Sequence, residues 1–250
     1  MASEPHIGRF AGRVALVVGQ GAIARACAVT LAREGARLVV ANPDPAEGDQ
    51  TAAGIVQSGG AAMSRRHDLD DENQWRALID ATLNRFYRLD AFAYAHLAST
   101  RGRLEDLTLN DFRRATRPNL QGPWLGLKYA GPAMRIYGHG AAVVVSSAHG
   151  LEARAGLGAL AVSGAATRLL VRSTAAEFAA RDPKVRVNAV LVGVRHLDLD
   201  LATADDERGS PSPFDVAHAV TYALSDAARF LTGTDLVIED AGNRRTGYGR

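Results

Sequence analysis

The chain has 250 residues, of which 47% are hydrophobic, so it is long enough to bury a large core in one or two domains. Its 29 lysine and arginine residues nearly balance 27 acidic residues and are scattered, which argues against nucleic acid or an anionic membrane as a partner. The single cysteine, Cys27, is expected to lie in the core, so neither a disulfide framework nor a metal site built from thiols is predicted. No signal-like or membrane-spanning apolar segment is present, so we expect a cytoplasmic protein.

No Pro/Gly/Ser-rich linker or charge run divides the chain. A single domain is therefore predicted over residues 1–250, with an N-terminal segment at 1–11 and a tail at 243–250. Short apolar runs alternate with amphipathic helical patterns along the chain, which is typical of α/β proteins. The predicted fold is a Rossmann-type, doubly wound parallel sheet of seven strands with helices on both faces.

The first strand is predicted over Arg13–Gly19 and the first helix over Ala22–Glu34. Between them, Gly19-Gln20-Gly21-Ala22-Ile23-Ala24 fits the pattern G-x-G-x-x-G/A, in which small residues let the backbone approach a pyrophosphate at a helix N-terminus. Gly19, Gly21 and Ile23 are therefore candidate dinucleotide contacts. The alternative is a tight turn that binds nothing.

The second predicted strand, Ala36–Ala41, is followed by Asn42. In NAD enzymes with this fold, an Asp or Glu at that position holds a ribose hydroxyl. An amide can bind a hydroxyl but has no charge to exclude the additional phosphate of NADP. Asn42 is thus a candidate ribose contact that favours neither NAD nor NADP.

The stretch from Val143 to Arg172 combines a buried strand, a loop with Ser146 and Ser147, and a helix rich in small residues. With Asn119 upstream and the segment RVNAV downstream, it resembles the active-site segment of the short-chain dehydrogenase/reductase family. The similarity extends over most of the chain, from Gly12 to Gly242, and it implies the same doubly wound fold.

In that family, a Ser follows this strand and a Tyr-x-x-x-Lys sequence opens the next helix. The resemblance implies that Asn119 and Ser147 are remnants of the catalytic set, and that Leu160 and Gly164 occupy the Tyr and Lys positions. Hydride transfer at a carbon that bears oxygen needs a group that moves a proton on that oxygen. Because neither Leu nor Gly can do so, we predict that the hydride-transfer site is lost.

Few other side chains are candidates for the missing acid. His149 is the best, because an unperturbed imidazole titrates near neutrality, although a loop histidine without a chemical role is the alternative. Lys128 is expected to point away from Asn119 on the same helix. The Arg168 guanidinium is a poor acid, and Tyr94 lies on a different element.

The cofactor motifs also depart from the family pattern. The glycine turn is one residue shorter than usual, and Ala22 and Ala24 replace two glycines. Tyr94-Ala95-His96-Leu97 stands where the family has Asn-Asn-Ala-Gly, so we expect Tyr94 and His96 to fill cofactor space unless their rings point elsewhere. Binding of NAD or NADP is therefore predicted to be weak or absent.

Asp68 and Leu69 match the family's Asp-Val/Leu pair, which implies a place beside the adenine. The alternative is that Asp68 is the N-terminal acid of a helix that begins near Glu72. Further along, Arg195-His196-Leu197 stands where the family has a nicotinamide-binding Thr, and the polar segment up to Pro213 is too short for the family's substrate lid.

The C-terminal sequence from Phe214 to Gly242 follows the family's last helix and strand, which form its subunit interface. Retained interface sequence beside an altered centre favours a non-catalytic subunit. The predicted assembly is a heterotetramer with an active paralogue, an NAD(P)-dependent dehydrogenase of hydroxyacyl or oxoacyl substrates. A homo-oligomer, a divergent oxidoreductase using His149, a non-redox enzyme and a nucleotide sensor are the alternatives.

Overall fold

The computed structural model describes residues 8–152, 154–181, 185–193 and 211–239. Seven parallel strands form one sheet in the order β3-β2-β1-β4-β5-β6-β7, which confirms the predicted fold class. The strands are β1 (Val14–Val18), β2 (Arg37–Asn42), β3 (Ala61–Arg66), β4 (Ala91–Tyr94), β5 (Gly140–Ser147), β6 (Val185–Val192) and β7 (Asp235–Ile238).

The α-helices of the described residues cover both faces of this sheet. They are α1 (Ala22–Arg33), α2 (Pro45–Gln57), α3 (Glu72–Phe86), α4 (Leu109–Thr116), α5 (Gly122–Arg135), α6 (Gly158–Arg181) and α7 (Pro213–Leu224). The predicted closing helix and seventh strand are therefore present. None of the helices in the described part of the chain has both the length and the hydropathy needed to span a bilayer.

Successive side chains along each strand point to opposite faces of the sheet, so the core is divided into two layers. In β1, Val14, Leu16 and Val18 face the layer that contains α3, α5 and α6, whereas Ala15 and Val17 face the layer that contains α1 and α7. Both faces of β1 are thus buried, which explains its continuous apolar sequence. The Cys27 side chain lies in the second layer, fully buried, and burial raises the pKa of its thiol to about 12.

The strand order reverses between β1 and β4, and ligands of such sheets bind at the carboxyl edge beside this point. The chain after β1 approaches the chain after β4 closely here. Gly19 has a φ of 152°, and a Cβ on it would collide with the carbonyl group of Ala95. Only glycine fits this position, so the packing of the two chain segments is sufficient to explain this residue.

The central helix is interrupted at the candidate Asn119. α4 and α5 are separated by a single π-helical turn at Arg117–Gln121. Such turns occur where side chains replace the regular backbone hydrogen bonds. The segment that resembles the family's central helix is therefore irregular at Asn119.

Three sequence predictions lie outside the described residues. These concern Arg195-His196-Leu197, most of the short polar segment before Pro213, and the C-terminal tail at 243–250.

Candidate active site

The turn between β1 and α1 directs the amide of Gly21 towards a carboxylate. Gly21 has a φ of 86° and is the N-terminal cap residue of α1. Its N–H donates to Glu47 Oε1 at 2.8 Å, and Glu47 lies in the first turn of α2. Ile23, the third candidate of this turn, is buried in the core on α1. The predicted pyrophosphate position therefore already holds an anionic group.

Asn42 ends β2 and is used within its own loop. Its side chain is buried, and Oδ1 accepts a hydrogen bond from Asp44 N at 2.8 Å. Asp44 in turn caps α2 by accepting from Ala46 N at 2.9 Å, and Pro45 occupies the first helical position. Within the described residues, the side-chain oxygen that was expected to meet a ribose serves a local turn.

Asp68 borders a cavity at this edge, which has a volume of about 400 Å³. Residues of five segments line it: Gln20, Pro43, Asp68, Leu69, Asp70, His96, Asn110, Arg113, Arg114, Arg117 and Pro118. A hydrogen bond to Asp68 and burial raise the pKa of Asp70, whereas Arg117 opposes this rise. The cavity therefore combines a pair of interacting carboxyl groups with an arginine-rich wall.

Asp68 precedes α3, as its alternative role as an acid ahead of this helix implies, but it is not the residue that caps the helix. The cap of α3 is Asp71, whose side chain accepts hydrogen bonds from Asn73 N at 2.8 Å and Gln74 N at 3.2 Å. Asp68 instead precedes the helix, and its N–H donates to Gln74 Oε1 at 2.8 Å. Leu69 is buried, and its carbonyl accepts from the indole of the nearby core tryptophan.

Tyr94 does not fill cofactor space. It is fully buried in the layer of α3 and α5, and its hydroxyl donates to the carbonyl of Pro118 at 2.5 Å. Its ring also stacks near Trp75, with centroids 6.4 Å apart. The expectation of a steric block at Tyr94 is therefore wrong, because Tyr94 lies on the strand face that points into the core.

His96 does line the cavity, as its position after β4 suggested. Burial lowers the pKa of its imidazole to about 4, so the ring is neutral near physiological pH. Among the described residues, Nδ1 of His96 has no hydrogen-bond partner. His96 thus narrows the space beside Asp68 without supplying a charge.

Asn119 is the centre of a buried hydrogen-bond network. Its Nδ2 donates to Ala98 O at 2.7 Å and to Ser163 Oγ at 3.1 Å, and its Oδ1 accepts from Ala98 N at 2.7 Å. The backbone carbonyl of Asn119 accepts from Thr167 Oγ1 at 2.7 Å. The side chain thereby joins the π-helical turn, the loop after β4 and α6.

Ser147 lies at the end of β5 and is fully buried. Its hydroxyl accepts from His149 N at 3.1 Å and caps the short 3-10 turn at residues 148–150. His149 is itself buried in this turn. Ser147 and His149 are therefore close neighbours, but the recorded bond between them uses the histidine backbone.

Leu160 and Gly164 lie on one face of α6, directly against this 3-10 turn. Leu160 is fully buried. A Cβ on Gly164 would be 3.1 Å from Ser147 O and 3.2 Å from Gly150 N, and a Cβ on Gly150 would be 2.5 Å from Ala165 N. The helix and the turn are thus in backbone contact, and little space separates them.

The other candidate cations contact groups elsewhere. Lys128 bonds to Glu72 at the start of α3 and lies over the ring of Trp124. Arg168 forms an ion pair with Asp235 of β7 at 2.7 Å and so ties α6 to the sheet. Arg168 also reaches Gly150 O at 3.4 Å, which supports the 3-10 turn.

Sequence reasoning missed several residues of this region. Glu47 was not identified, because an acid in the first turn of an exposed helix is a common capping feature. Ser163 and Thr167 were also missed, although they lie near Gly164 on α6 and bond to Asn119. The arginines of α4 gave no signal, since neither charge nor spacing distinguished them from other surface arginines.

Comparisons with known proteins identify relatives that match this chain over most of its length. The family profile described as enoyl-(acyl carrier protein) reductase matches residues 17–243. A cis-4-hydroxycyclohexanecarboxylate dehydrogenase of Sinomonas cyclohexanicum is 34% identical, over 92% of this chain and 96% of that protein. An NADP-dependent (R)-specific alcohol dehydrogenase of Lentilactobacillus kefiri is 30% identical, over 92% and 96% of the two chains.

Among solved structures, one from Burkholderia xenovorans, described as a short-chain dehydrogenase/reductase, superposes with a TM-score of 0.85. It is 29% identical and covers 96% of this chain and 100% of its own. The agreement extends over the whole sheet, so the expected family is shown by sequence and by structure.

Proposed function

This chain belongs to the short-chain dehydrogenase/reductase family, and from that premise we propose that it is a member without a working hydride-transfer site. It acts as the non-catalytic subunit of a heteromeric NAD(P)-dependent dehydrogenase. The active subunit is a paralogue that retains Tyr-x-x-x-Lys. This chain completes the assembly and shapes the neighbouring active site.

The packing of α6 against the turn after β5 carries this proposal. Leu160 and Gly164 take the family's Tyr and Lys positions when counted from Ser147. A leucine carries no exchangeable proton, and Gly164 lies so close to Ser147 O and Gly150 N that a lysine side chain would start within 3.3 Å of the turn. The general acid and the cation that tunes it are therefore both missing from the face of α6 that would hold them.

The described residues also fit a dinucleotide poorly. The carboxylate of Glu47 accepts a hydrogen bond from the Gly21 amide that a pyrophosphate would otherwise contact. The side-chain oxygen of Asn42 accepts from the amide of Asp44. His96 lines the cavity and reduces its space. When bound to an active family member, the nicotinamide cofactor accepts or donates the hydride. In this chain, Asn119, Ser163 and Thr167 keep the central turn in place, which is a structural task.

Exposed apolar side chains support a partner subunit. Trp124 of α5 is 48% exposed, and Val162 and Leu169 of α6 are 55% and 67% exposed. Val162 and Leu169 lie on one face of α6 together with small residues, which allows another helix to approach closely. Exposed apolar surface of this kind is typical of an interface. Either a homo-oligomer or a mixed assembly would use it, and we favour the mixed assembly because the chain alone lacks an acid.

The substrate of this assembly is an alcohol or its ketone. The profile description names an acyl carrier, and one relative's name specifies a hydroxylated cyclohexane carboxylate. We therefore assign the substrate to hydroxyacyl or oxoacyl compounds, with cyclic hydroxy acids as a second class. Both classes combine a secondary alcohol, or the corresponding ketone, with a carboxyl or carboxyl-derived group.

An active enzyme with a displaced acid is the second candidate, and the dehydrogenase names of the relatives favour it. His149 is the residue for that role, because its backbone N–H contacts Ser147 Oγ at 3.1 Å. In this alternative, His149 would move the substrate proton. Its burial opposes the alternative, because His149 is only 6% exposed.

Co-expression tests the proposal. The chain is produced together with the paralogue that retains Tyr-x-x-x-Lys, and the mass of the purified assembly is measured. We expect a mixed tetramer whose turnover per active subunit differs from that of the paralogue alone. Separate homo-oligomers, together with turnover by this chain that is abolished in His149→Ala, would replace the proposal with the second candidate.

A further inference from the structure

The carboxylate of Glu47 at the start of α1 has no counterpart in the sequence predictions. The N-terminus of a helix is a favourable place for an anion, because its first amides are unpaired and the helix dipole is positive there. No residue in the first turn of α1 is acidic, and Gly21 provides no side-chain cap. Glu47 Oε1 instead accepts from Gly21 N at 2.8 Å, so α2 supplies the anion.

The position of Glu47 is set by the loop that precedes it. Asn42 and Asp44 form successive side-chain-to-backbone bonds, and Pro45 begins α2. Gly48 then lies against β2 and β3, where a Cβ would come within 2.8 Å of Ser64 Oγ and 3.2 Å of the Asn42 side chain. A larger residue at position 48 would push α2 away, so the first turn of α2 is seated close to the glycine turn.

The charge of Glu47 is not neutralised by a basic side chain. Among the described residues, no ion pair includes Glu47, whose one side-chain bond in that part of the chain is to Gly21. The negative charge is therefore balanced by the amide and by the dipole of α1. A phosphate that approached the same amide would meet a carboxylate, and like charges at such a separation repel.

We propose that Glu47 is an internal anion that occupies the phosphate position of this turn and excludes phosphorylated nucleotides from it. The inference rests on the proposed function, because it gives a cause for the weak dinucleotide binding expected of a non-catalytic subunit. The exclusion applies to phosphate groups at the glycine turn between β1 and α1. The cavity beside Asp68 is lined by Gln20 but not by Glu47, so an uncharged nucleoside is not excluded by this contact.

Calorimetric titration of the full chain with ADP tests the inference, with adenosine as the uncharged probe. Glu47→Ala removes the carboxylate, and Glu47→Gln keeps the shape but removes the charge. The matched control is Asp49→Asn, which removes one charge from an exposed position on the same helix. Circular dichroism and thermal unfolding establish that each variant is folded.

We expect Glu47→Ala to raise the affinity for ADP by at least about tenfold, because an anion is then free to take the amide and the dipole. Glu47→Gln should give a smaller gain in the same direction. Adenosine affinity should be equal in all four proteins, and Asp49→Asn should match the unaltered chain. An equal gain in ADP affinity for Asp49→Asn would show that the gain comes from the change in net charge, and it would overturn the inference.

A loss of ADP affinity in Glu47→Ala would also overturn it, since Glu47 would then be a ligand of the ribose. Unchanged affinity in both Glu47 variants would do the same. These failures are distinct from a failure of the proposed function, which would appear as tight dinucleotide binding by the unaltered chain.

Discussion

Tyr94 has a role in the core that differs from the one expected of its position. Its hydroxyl bonds to Pro118 O in the π-helical turn, and a Cβ on Gly122 would collide with the same hydroxyl. We predict that Tyr94→Phe lowers the free energy of unfolding by about 1 to 2 kcal/mol, because the Pro118 carbonyl loses its donor. Urea unfolding measures this, with Tyr222→Phe on exposed α7 as the control. Equal effects of Tyr94→Phe and Tyr222→Phe on the free energy of unfolding would contradict this role of the Tyr94 hydroxyl.

The pair Leu160 and Gly164 provides a test of repair. We predict that Leu160→Tyr with Gly164→Lys gives no turnover, because the glycine turn and the closed 3-10 turn are unchanged. Gly164→Lys should also destabilise the chain by about 1 to 3 kcal/mol through crowding against Ser147 and Gly150. Gly164→Ala is the control and should cost less, since helix propensity offsets part of its contact. Hydride transfer by the double variant, measured through the absorbance of NADH, would contradict the prediction of no turnover.

His67 makes stability depend on pH. Burial lowers the pKa of His67 from 6.5 to about 4. Between these pH values, the imidazole is therefore protonated in the unfolded chain and neutral in the folded chain. Stability is then highest above pH 6.5 and decreases as the pH falls towards 4. We predict a loss of about 2 kcal/mol from His67 between about pH 7 and about pH 5. Denaturant unfolding at both pH values measures it, and the loss should be smaller in His67→Gln.

At the scale of elements, the π-helical turn depends on Asn119. Its side-chain amide forms hydrogen bonds with the backbone N–H and the carbonyl of Ala98 and donates to the hydroxyl of Ser163. We predict that Asn119→Ala lowers the free energy of unfolding by about 2 to 4 kcal/mol, because buried partners are left unpaired. Gln121→Ala, which removes an exposed amide from the same turn, is the control and should cost much less. Equal effects of the two changes would mean that Asn119 has no special structural task.

Strands and helices were largely predictable because their patterns are local. The apolar run of β1 and the small-residue helix α6 were expected near their observed bounds, since burial on both faces and helical spacing leave direct traces in sequence. The π-helical turn was not predictable in the same way. It depends on the contact of Asn119 with Ala98, which is distant along the chain and unrelated to local periodicity.

The candidate site was predictable in its positions but not in its contacts. Ser147 ends β5, and Asn119 lies in the π-helical turn between α4 and α5. The direction of Tyr94 and the bond from Gly21 to Glu47 follow from the packing of separate elements. An exposed acid such as Glu47 carries no periodic signal, so only the folded arrangement reveals its neighbour.

The whole molecule combines the fold of the family with a candidate active site that has Leu160 and Gly164 at the family's Tyr and Lys positions. All seven strands and both core layers follow the family, and the exposed residues of α5 and α6 are suited to subunit contact. In the proposed mixed assembly, binding of the paralogue would stabilise this chain by mass action, so we expect its stability to increase with the concentration of the paralogue.

Calorimetric titration of the purified chain with NAD, NADH, NADP and NADPH tests the central claim most directly. We predict that none of the four binds with a micromolar or lower dissociation constant, since the glycine turn holds Glu47 and the loop after β2 uses Asn42. A micromolar dissociation constant for any of them would contradict the claim that the dinucleotide site of this chain is degenerate, and would favour a nucleotide sensor or a divergent enzyme.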